Sequence, residues 1–393
     1  TTCVNTATAV GARPYGFVSR LGKSKDPSSW TNHVGPIGAF NGAVNYKVNW
    51  DDIDPATGQR FQSKGGWIGF GDHYWLTALI PDQAASIDAG FRAGNGSYQA
   101  EFAVPQVIVG PGKAVSTTSR LFAGAKEVNA LDAYEEAGVP LFDKAIDWGW
   151  FEIIEKPIFQ YLDWLFKLVG NFGVAIIILT VIVRGVMFPI AQRQFASMAA
   201  MRAIQPKMKA LQERYKDDRA KLQEETMKLY KEEGVNPLAG CLPILLQIPI
   251  FFALYKVLSV AVEMRHQPFV AWLKDLSAPD PLHILNLFGL LPFEPPAILG
   301  LGILGLLLGI TMWLQFRMQP ASPDPTQQQM MAIMPWMMMF VMSPFAAGLL
   351  VYYIMNNLIS VAQQSYLYAR HPQMRAMIEK ERADVARAAQ QAK

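Results

Sequence analysis

FGVAIIILTVIVRGVMFPIA, residues 172–191, decides the reading of this chain. Coiled as a helix, its 20 residues rise roughly 30 Å, the thickness of a bilayer's hydrocarbon core. Its one charge is Arg184. A guanidinium in a span costs somewhere between about 3 and 15 kcal/mol depending on how far it can snorkel, so it is expected to face water or polar protein rather than lipid. Snorkelling to the headgroups from about 10 Å inside the span is the competing account.

Composition supports a membrane segment without applying evenly to the chain. Of the 393 residues, 51% are hydrophobic and only 17% charged. Charges are frequent up to Lys167, absent over long runs after it, and frequent again from Arg193 to Glu233 and from Arg370 onward. An aqueous domain followed by a membrane domain is the expectation. The formal net charge of +3, with no basic stripe interleaved with aromatics, gives no ground for specific DNA binding. Cys3 and Cys241 fall on opposite sides of the divide, which argues against a disulfide framework or a thiolate metal site, and no cofactor is expected. The sequence opens at Thr1 without a basic-then-apolar leader. An export segment upstream is therefore expected if the first domain lies outside the cytoplasm.

Residues 1–121 alternate in short runs punctuated by Gly, Pro, Asn and Asp, with strands predicted over 43–50, 74–80, 98–109 and 114–121. An N-terminal all-β sandwich follows. His33 and His73 stand alone in it and suggest structural histidines rather than ligands. A short helix is predicted over 126–137. Residues 150–169 carry Phe151, Ile154, Ile158, Leu162, Leu165 and Val169 at helical spacing, with Trp148, Trp150, Tyr161 and Trp164 alongside. That pattern fits an amphipathic helix in the membrane interface, or a core helix of the β domain.

Beyond residue 191, the segment 192–234 holds ten Lys or Arg and seven Asp or Glu around a thin apolar stripe, and is predicted to be a charged hairpin of two antiparallel helices turning at Asp217-Asp218. Further apolar segments run over 238–262, broken by Lys256, over 297–316, and from 327 to 362 with a break at Ser343-Pro344. Together with residues 172–191 they make five crossings. Residues 282–293 are apolar but too few to span. Basic residues number ten after the first crossing and six in the tail, against two in 263–296, which places the β domain outside and both basic segments inside.

Polar residues within the spans are the functional candidates. Thr180 shares a helix face with Arg184, Gln247 interrupts LLQIPIF, and the last span carries Tyr352, Tyr353, Asn356, Asn357 and Ser360. They could line a polar cavity around one fixed positive charge. No acid lies in any of the five segments. That disfavours cation-coupled transport, and no protease constellation can be assembled from span residues. Met334, Met337 and Met338 belong to a run of seven Met in 13 residues, suited either to an adaptable surface over which apolar segments slide or to filling gaps between helices.

VRGVMFPI around Arg184, VNPLAGCLPILLQIPIFFALYKVL, RHQPFVAWLKDLSAPDP and PFAAGLLVYYIMNNLISVAQQ together resemble the YidC membrane protein insertases, of the YidC/Oxa/Alb family. GGWIGFGDHYWLTALIP resembles the periplasmic domain of the Gram-negative type. The sequence departs in lacking the family's first transmembrane segment and in the length of residues 282–299. The resemblance implies a polytopic α-helical membrane protein with a five-helix core and an N-terminal periplasmic supersandwich. It implies a non-enzymatic insertase of the bacterial inner membrane whose groove is open to cytoplasm and lipid, with Arg184 as groove arginine and Thr180, Gln247 and Tyr353 as groove lining. Nascent membrane proteins, the Sec translocon, the ribosome and the signal recognition pathway are the partners it implies. The domains expected are a periplasmic β-sandwich over 1–147, an interfacial helix over 148–169, the insertase core over 170–369 with its hairpin at 193–233, and a basic cytoplasmic tail over 370–393. That tail could touch ribosomal RNA or anionic lipid, or simply enforce topology. The rival function is a solute transporter or channel with Arg184 as an intramembrane anion site.

Overall fold

The computed structural model describes residues 2–4, 8–25, 32–53, 55–215, 218–234, 242–288, 290–291, 293, 300–318 and 325–370. Asp217, Asn236-Pro237, Cys241 and the basic tail beyond Arg370 lie outside the described residues. The chain divides into two units, residues 1–156 with 259–263, and residues 157–258 with 264–393.

The first unit is built on two antiparallel sheets. One orders β3 (Tyr15–Leu21), β10 (Ser97–Ala103), β9 (Ser86–Gly94) and β6 (Gln59–Lys64). The other orders β13 (Arg120–Ala125), β8 (Trp75–Ile80), β7 (Trp67–Gly71), β4 (Gly35–Phe40) and β5 (Ala43–Asn45). Short pairs add β1 (Thr2–Val4) to β12 (Ala114–Ser116), and β11 (Val107–Val109) to β2 (Val10–Ala12). Ile68, Phe70 and Leu79 of the larger sheet meet Ile87, Ala89, Phe91, Ala100 and Phe102 of the smaller. Its opposite face receives Phe142, edge-on to Trp67 at 5.4 Å and to Phe122 at 5.3 Å. Covered on both sides, β4 and β7 are buried along their whole length, so GPIGAF and WIGFG show no alternation. Asn41-Gly42 joins β4 to β5 and Asn95-Gly96 joins β9 to β10. All four residues take positive φ, as two-residue hairpins of this twist require.

Several predicted strands are shorter than expected. The 43–50 run leaves the sheet at Asn45 and closes with a 3-10 turn at Trp50–Asp52. The 98–109 run divides around Pro105, which has no N–H for a ladder, and 114–121 divides between β12 and β13. α1 (Val128–Glu136) occupies the predicted short helix.

α2 (Glu152–Val169) follows, with Phe159, Leu162 and Leu165 buried. Then come α3 (Phe172–Val186), α4 (Phe188–Ala203), α5 (Gln205–Arg214), α6 (Arg219–Glu232), α7 (Leu242–Val260), α8 (Ile303–Met318), α9 (Pro325–Met342) and α10 (Ala347–Arg370). α5 and α6 run antiparallel, with Lys207 bonded to Glu233 and the Thr226 hydroxyl 3.6 Å from Met208 Sδ.

Helices stand at all five predicted crossings, yet among the described residues no helix is long and apolar enough to cross a membrane. The 172–191 stretch is not one helix. Pro189 has no N–H to offer Gly185, so α3 stops at Val186 and α4 starts afresh after Met187. The 15 residues of α3 rise about 22 Å, and the 16 of α8 about 24 Å. α10 has the length, with 24 residues, but carries Asn356, Asn357, Gln363 and Gln364.

Candidate functional site

α10 packs against both α3 and α8, and α8 packs against α9. The close approach of α8 and α9 rests on Gly305 and Gly309, one turn apart, where a Cβ on Gly309 would lie 3.0 Å from Met339 Sδ.

One end of this bundle is sealed by residues 264–288. Asn171 caps α3 by accepting from Val174 N–H at 3.1 Å, and its amide donates to Phe269 O at 2.9 Å. The first turn of α10 donates from Ala347 and Gly348 N–H to the carbonyls of Ala278 and Leu276 at 2.7 and 2.9 Å. Asp280, nearly fully buried, caps α8 by accepting from Leu304 N–H at 2.8 Å, and also accepts from Trp272 Nε1–H at 3.0 Å and Leu282 N–H at 3.1 Å. At Gly348 a Cβ would stand 3.1 Å from Leu258 and 3.4 Å from Ile176, so α3, α7 and α10 converge at this level.

About 12 Å of helical rise away from Ile176 and Gly348, eight residues along each helix, the contacts between α3 and α10 turn polar. Arg184 Nε–H donates to Asn356 Oδ1 at 2.6 Å. Ser360 Oγ–H donates to the Asn356 carbonyl at 2.6 Å, and Gln363 Nε2–H to the Arg184 carbonyl at 3.2 Å. No carboxylate pairs with Arg184 among the described residues. Tyr352, Asn356, Ser360 and Gln363 follow one another at four, four and three residues, a single face of α10.

The other candidates divide. The Gln247 amide on α7 donates to the Tyr352 hydroxyl, and Phe251 lies 5.3 Å from Tyr353, so α7 meets α10 through side chains that reach across. Thr180 is buried, and its hydroxyl donates to Ile176 O at 2.6 Å within its own helix. Asn357 turns away from Arg184, its amide donating to Thr311 Oγ1 on α8 at 3.2 Å. On α9, Met334 and Met337 are exposed and Met338 half-buried, while Met339 and Met342 are buried. Met330, Ile333, Met334, Met337, Phe340 and Val341 form one exposed apolar stripe at helical spacing. Gln363 and Thr311 escaped the sequence reading. The four-four-three stripe from Tyr352 would have found Gln363, and nothing in the sequence marks Thr311 as Asn357's partner.

Among the described residues, one acidic cluster has ligand spacing, and it lies in the first unit. Carboxylate oxygens of Asp132, Glu135 and Asp143 come within 4.8 Å of one another. Lysines fill the place a cation would take: Lys156 Nζ is 2.8 Å from Asp132 and 3.0 Å from Asp143, and Lys144 Nζ is 3.0 Å from Asp143. Burial and then the hydrogen bond to Asp143 push Glu135 up to about 6. Burial also pushes against Asp143's ionised form. Hydrogen bonds from Glu135, Lys156 and Lys144 outweigh it and hold Asp143 below the usual carboxylate range.

Comparison with known proteins agrees with these two units. The family described as 60Kd inner membrane protein matches residues 164–375, and the YidC periplasmic domain matches residues 2–161. A membrane protein insertase YidC from Zymomonas mobilis is 57% identical over 364 residues, covering 91% of this chain and 63% of that protein. One from Rhizobium meliloti is 47% identical over 370 residues, covering 93% of this chain and 62% of that protein. The chain thus spans less than two thirds of the length of these relatives. A crystal structure of an active YidC insertase with its first transmembrane domain resolved aligns with a TM-score of 0.47 at 22% identity, over 83% of this chain and 78% of that one. By sequence the chain belongs to the 60Kd inner membrane protein (YidC) family, and it carries that family's periplasmic domain ahead of the helical region.

Proposed function

We propose that this chain inserts membrane proteins, receiving nascent chains from the cytoplasm into the polar lining around Arg184 and releasing their apolar segments into the bilayer, alone or with the Sec translocon. The carrying observation is a guanidinium held by a neutral amide oxygen, with its charge uncancelled among the described residues. A polar tail crossing hydrocarbon leaves each unpaired polar group costing several kcal/mol, so a polar path reaching partway shortens the expensive stretch. Arg184 transiently attracts an acidic or polar tail. Gln247, Tyr352 and Tyr353 offer hydrogen bonds and aromatic faces beside it, and the exposed stripe of α9 with Met334 and Met337 guides the apolar segment toward lipid. The membrane potential aids acidic tails outward by about 2.3 kcal/mol per charge per 100 mV. In this reading the β unit is periplasmic, the sealed end of the bundle faces the periplasm, and α5 and α6 with the basic tail face the cytoplasm, where the ribosome and signal recognition pathway deliver substrate. The names of the relatives support the activity.

The test is reconstitution in liposomes with a short single-span substrate bearing an acidic tail, scored by protease protection. Wild type should protect the tail, Arg184→Lys should retain more activity than Arg184→Ala, and protection by wild type no greater than by empty liposomes overturns the proposal. Saturable uptake of a small anion without protection would establish the transporter reading instead.

A further inference from the structure

The side chain that holds Arg184 is uncharged, although the position would accept an acid of the same shape. Arg184 Nε is a donor only, so Asn356 presents its amide oxygen, at 2.6 Å. Asn356 is itself fixed. It is nearly fully buried, its backbone carbonyl takes the Ser360 hydroxyl, and two turns further along α10 Gln363 grips the Arg184 backbone. Binding a guanidinium through Nε sets the plane of its fork and leaves its end-on pair of N–H donors, one from each Nη, for a bidentate pair with a carboxylate. A carboxylate at 356 would make the same hydrogen bond and cancel the charge as well.

We propose that Asn356 is a positioning and specificity-determining residue, aiming the Arg184 guanidinium while leaving its charge for an anionic group of the substrate. This rests on the insertase reading. Asn356 touches no substrate and acts through Arg184, so a variant that orients without neutralising must behave differently from one that neutralises. Asn356→Asp turns the contact into an internal ion pair, and the acidic tail of a substrate then competes with a carboxylate already in place. Asn356→Ala keeps the charge and frees its direction.

The experiment uses the full chain in liposomes and two single-span probes that differ only in the tail, one acidic and one with each acid replaced by its amide. The readout is the ratio of protease-protected acidic to neutral probe. Asn356→Asp is expected to lower this ratio tenfold or more, and Asn356→Ala to lower it roughly threefold. A purely structural role would depress both probes together and leave the ratio unchanged. If Asn356→Asp proves unstable by thermal unfolding, Asn356→Ala decides alone: a ratio within 1.5-fold of wild type overturns the assignment. Failure of wild type to protect either probe would refute the insertase reading instead, so the two failures are told apart.

Discussion

Replacing Asp280 by alanine should open the loop that seals the bundle. Asp280 is 2% exposed and accepts three hydrogen bonds, from Leu304 N–H, Trp272 Nε1–H and Leu282 N–H. The first is a helix cap, worth about 0.5–2 kcal/mol, and the other two go to a charged acceptor at about 1.5–3 kcal/mol each. The three share one side chain and are not additive, so Asp280→Ala should cost about 3–5 kcal/mol against local opening. Three kcal/mol is a factor of about 150 in an opening equilibrium. Hydrogen exchange at the Leu304 amide, followed by mass spectrometry on the detergent-solubilised chain, reads that factor directly. Asp280→Asn is the control. Its one oxygen can keep Trp272 and Leu282 while its NH2 group faces Leu304 N–H, so only the cap is lost and exchange should speed by about tenfold. If Asp280→Ala changes Leu304 exchange by less than tenfold, or if Asn and Ala behave alike, Asp280 is not what holds the loop to α8.

Gly173→Ala should strain the same loop, because a Cβ there would lie 2.1 Å from the Phe269 ring, near its root. Overpacking of this kind costs about 1–3 kcal/mol. Limited proteolysis across 264–288 should accelerate, and Phe269→Ala should suppress the effect. In the β unit, Trp67→Ala removes a fully buried ring whose Nε1–H donates to Pro140 O at 3.2 Å, at a cost of about 3–5 kcal/mol. The β unit's thermal transition should fall by about 10 °C or more, and a shift under 3 °C would contradict the two-sided core. The Glu135–Asp143 pair predicts a pH dependence. Glu135's folded value of about 6 lies above its ordinary 4.5, so its contribution is fully present below about 4.5 and is lost as pH rises through about 6. Asp143 is lowered and contributes above its ordinary range, losing that contribution only in stronger acid. The wild-type β unit should therefore melt lower at pH 7 than at pH 5. Glu135→Gln should flatten that interval, and an undiminished slope would refute the assignment.

What the sequence disclosed depended on whether a residue's neighbours are local. Alternation showed where half-exposed strands run, but β4 and β7 sit between two layers and carry none. The polar stripe of α10 was legible, since Tyr352, Asn356 and Ser360 recur at helical spacing. That Asn356 meets Arg184 was not, because the two are 172 residues apart and only the packing of α3 on α10 joins them. Asn357, one position round the helix, looked equivalent and instead binds Thr311 on α8. The length of the first apolar stretch misled for a local reason. Hydropathy runs through Met187 to Ala191, while the missing N–H of Pro189 ends the helix.

That early end changes the energetics of Arg184. In an unbroken 20-residue span the guanidinium would sit well inside, at a penalty of several kcal/mol. In the folded chain it lies in the last turn of α3, two residues before Val186, where the carbonyl end of the helix favours a positive charge by about 0.3–1 kcal/mol. The Asn356 oxygen supplies a further favourable contact. Both are partial, neutral sources of negative potential. They stabilise the cation without cancelling it, whereas a buried carboxylate would do both and would be costly to separate afterward. On the proposed reading, in which Arg184 binds passing substrates and releases them, dipoles serve better than a counter-ion. The break at Pro189 and the amide at Asn356 are then two parts of one arrangement, and neither can be altered without shifting the balance between holding Arg184 and leaving it available.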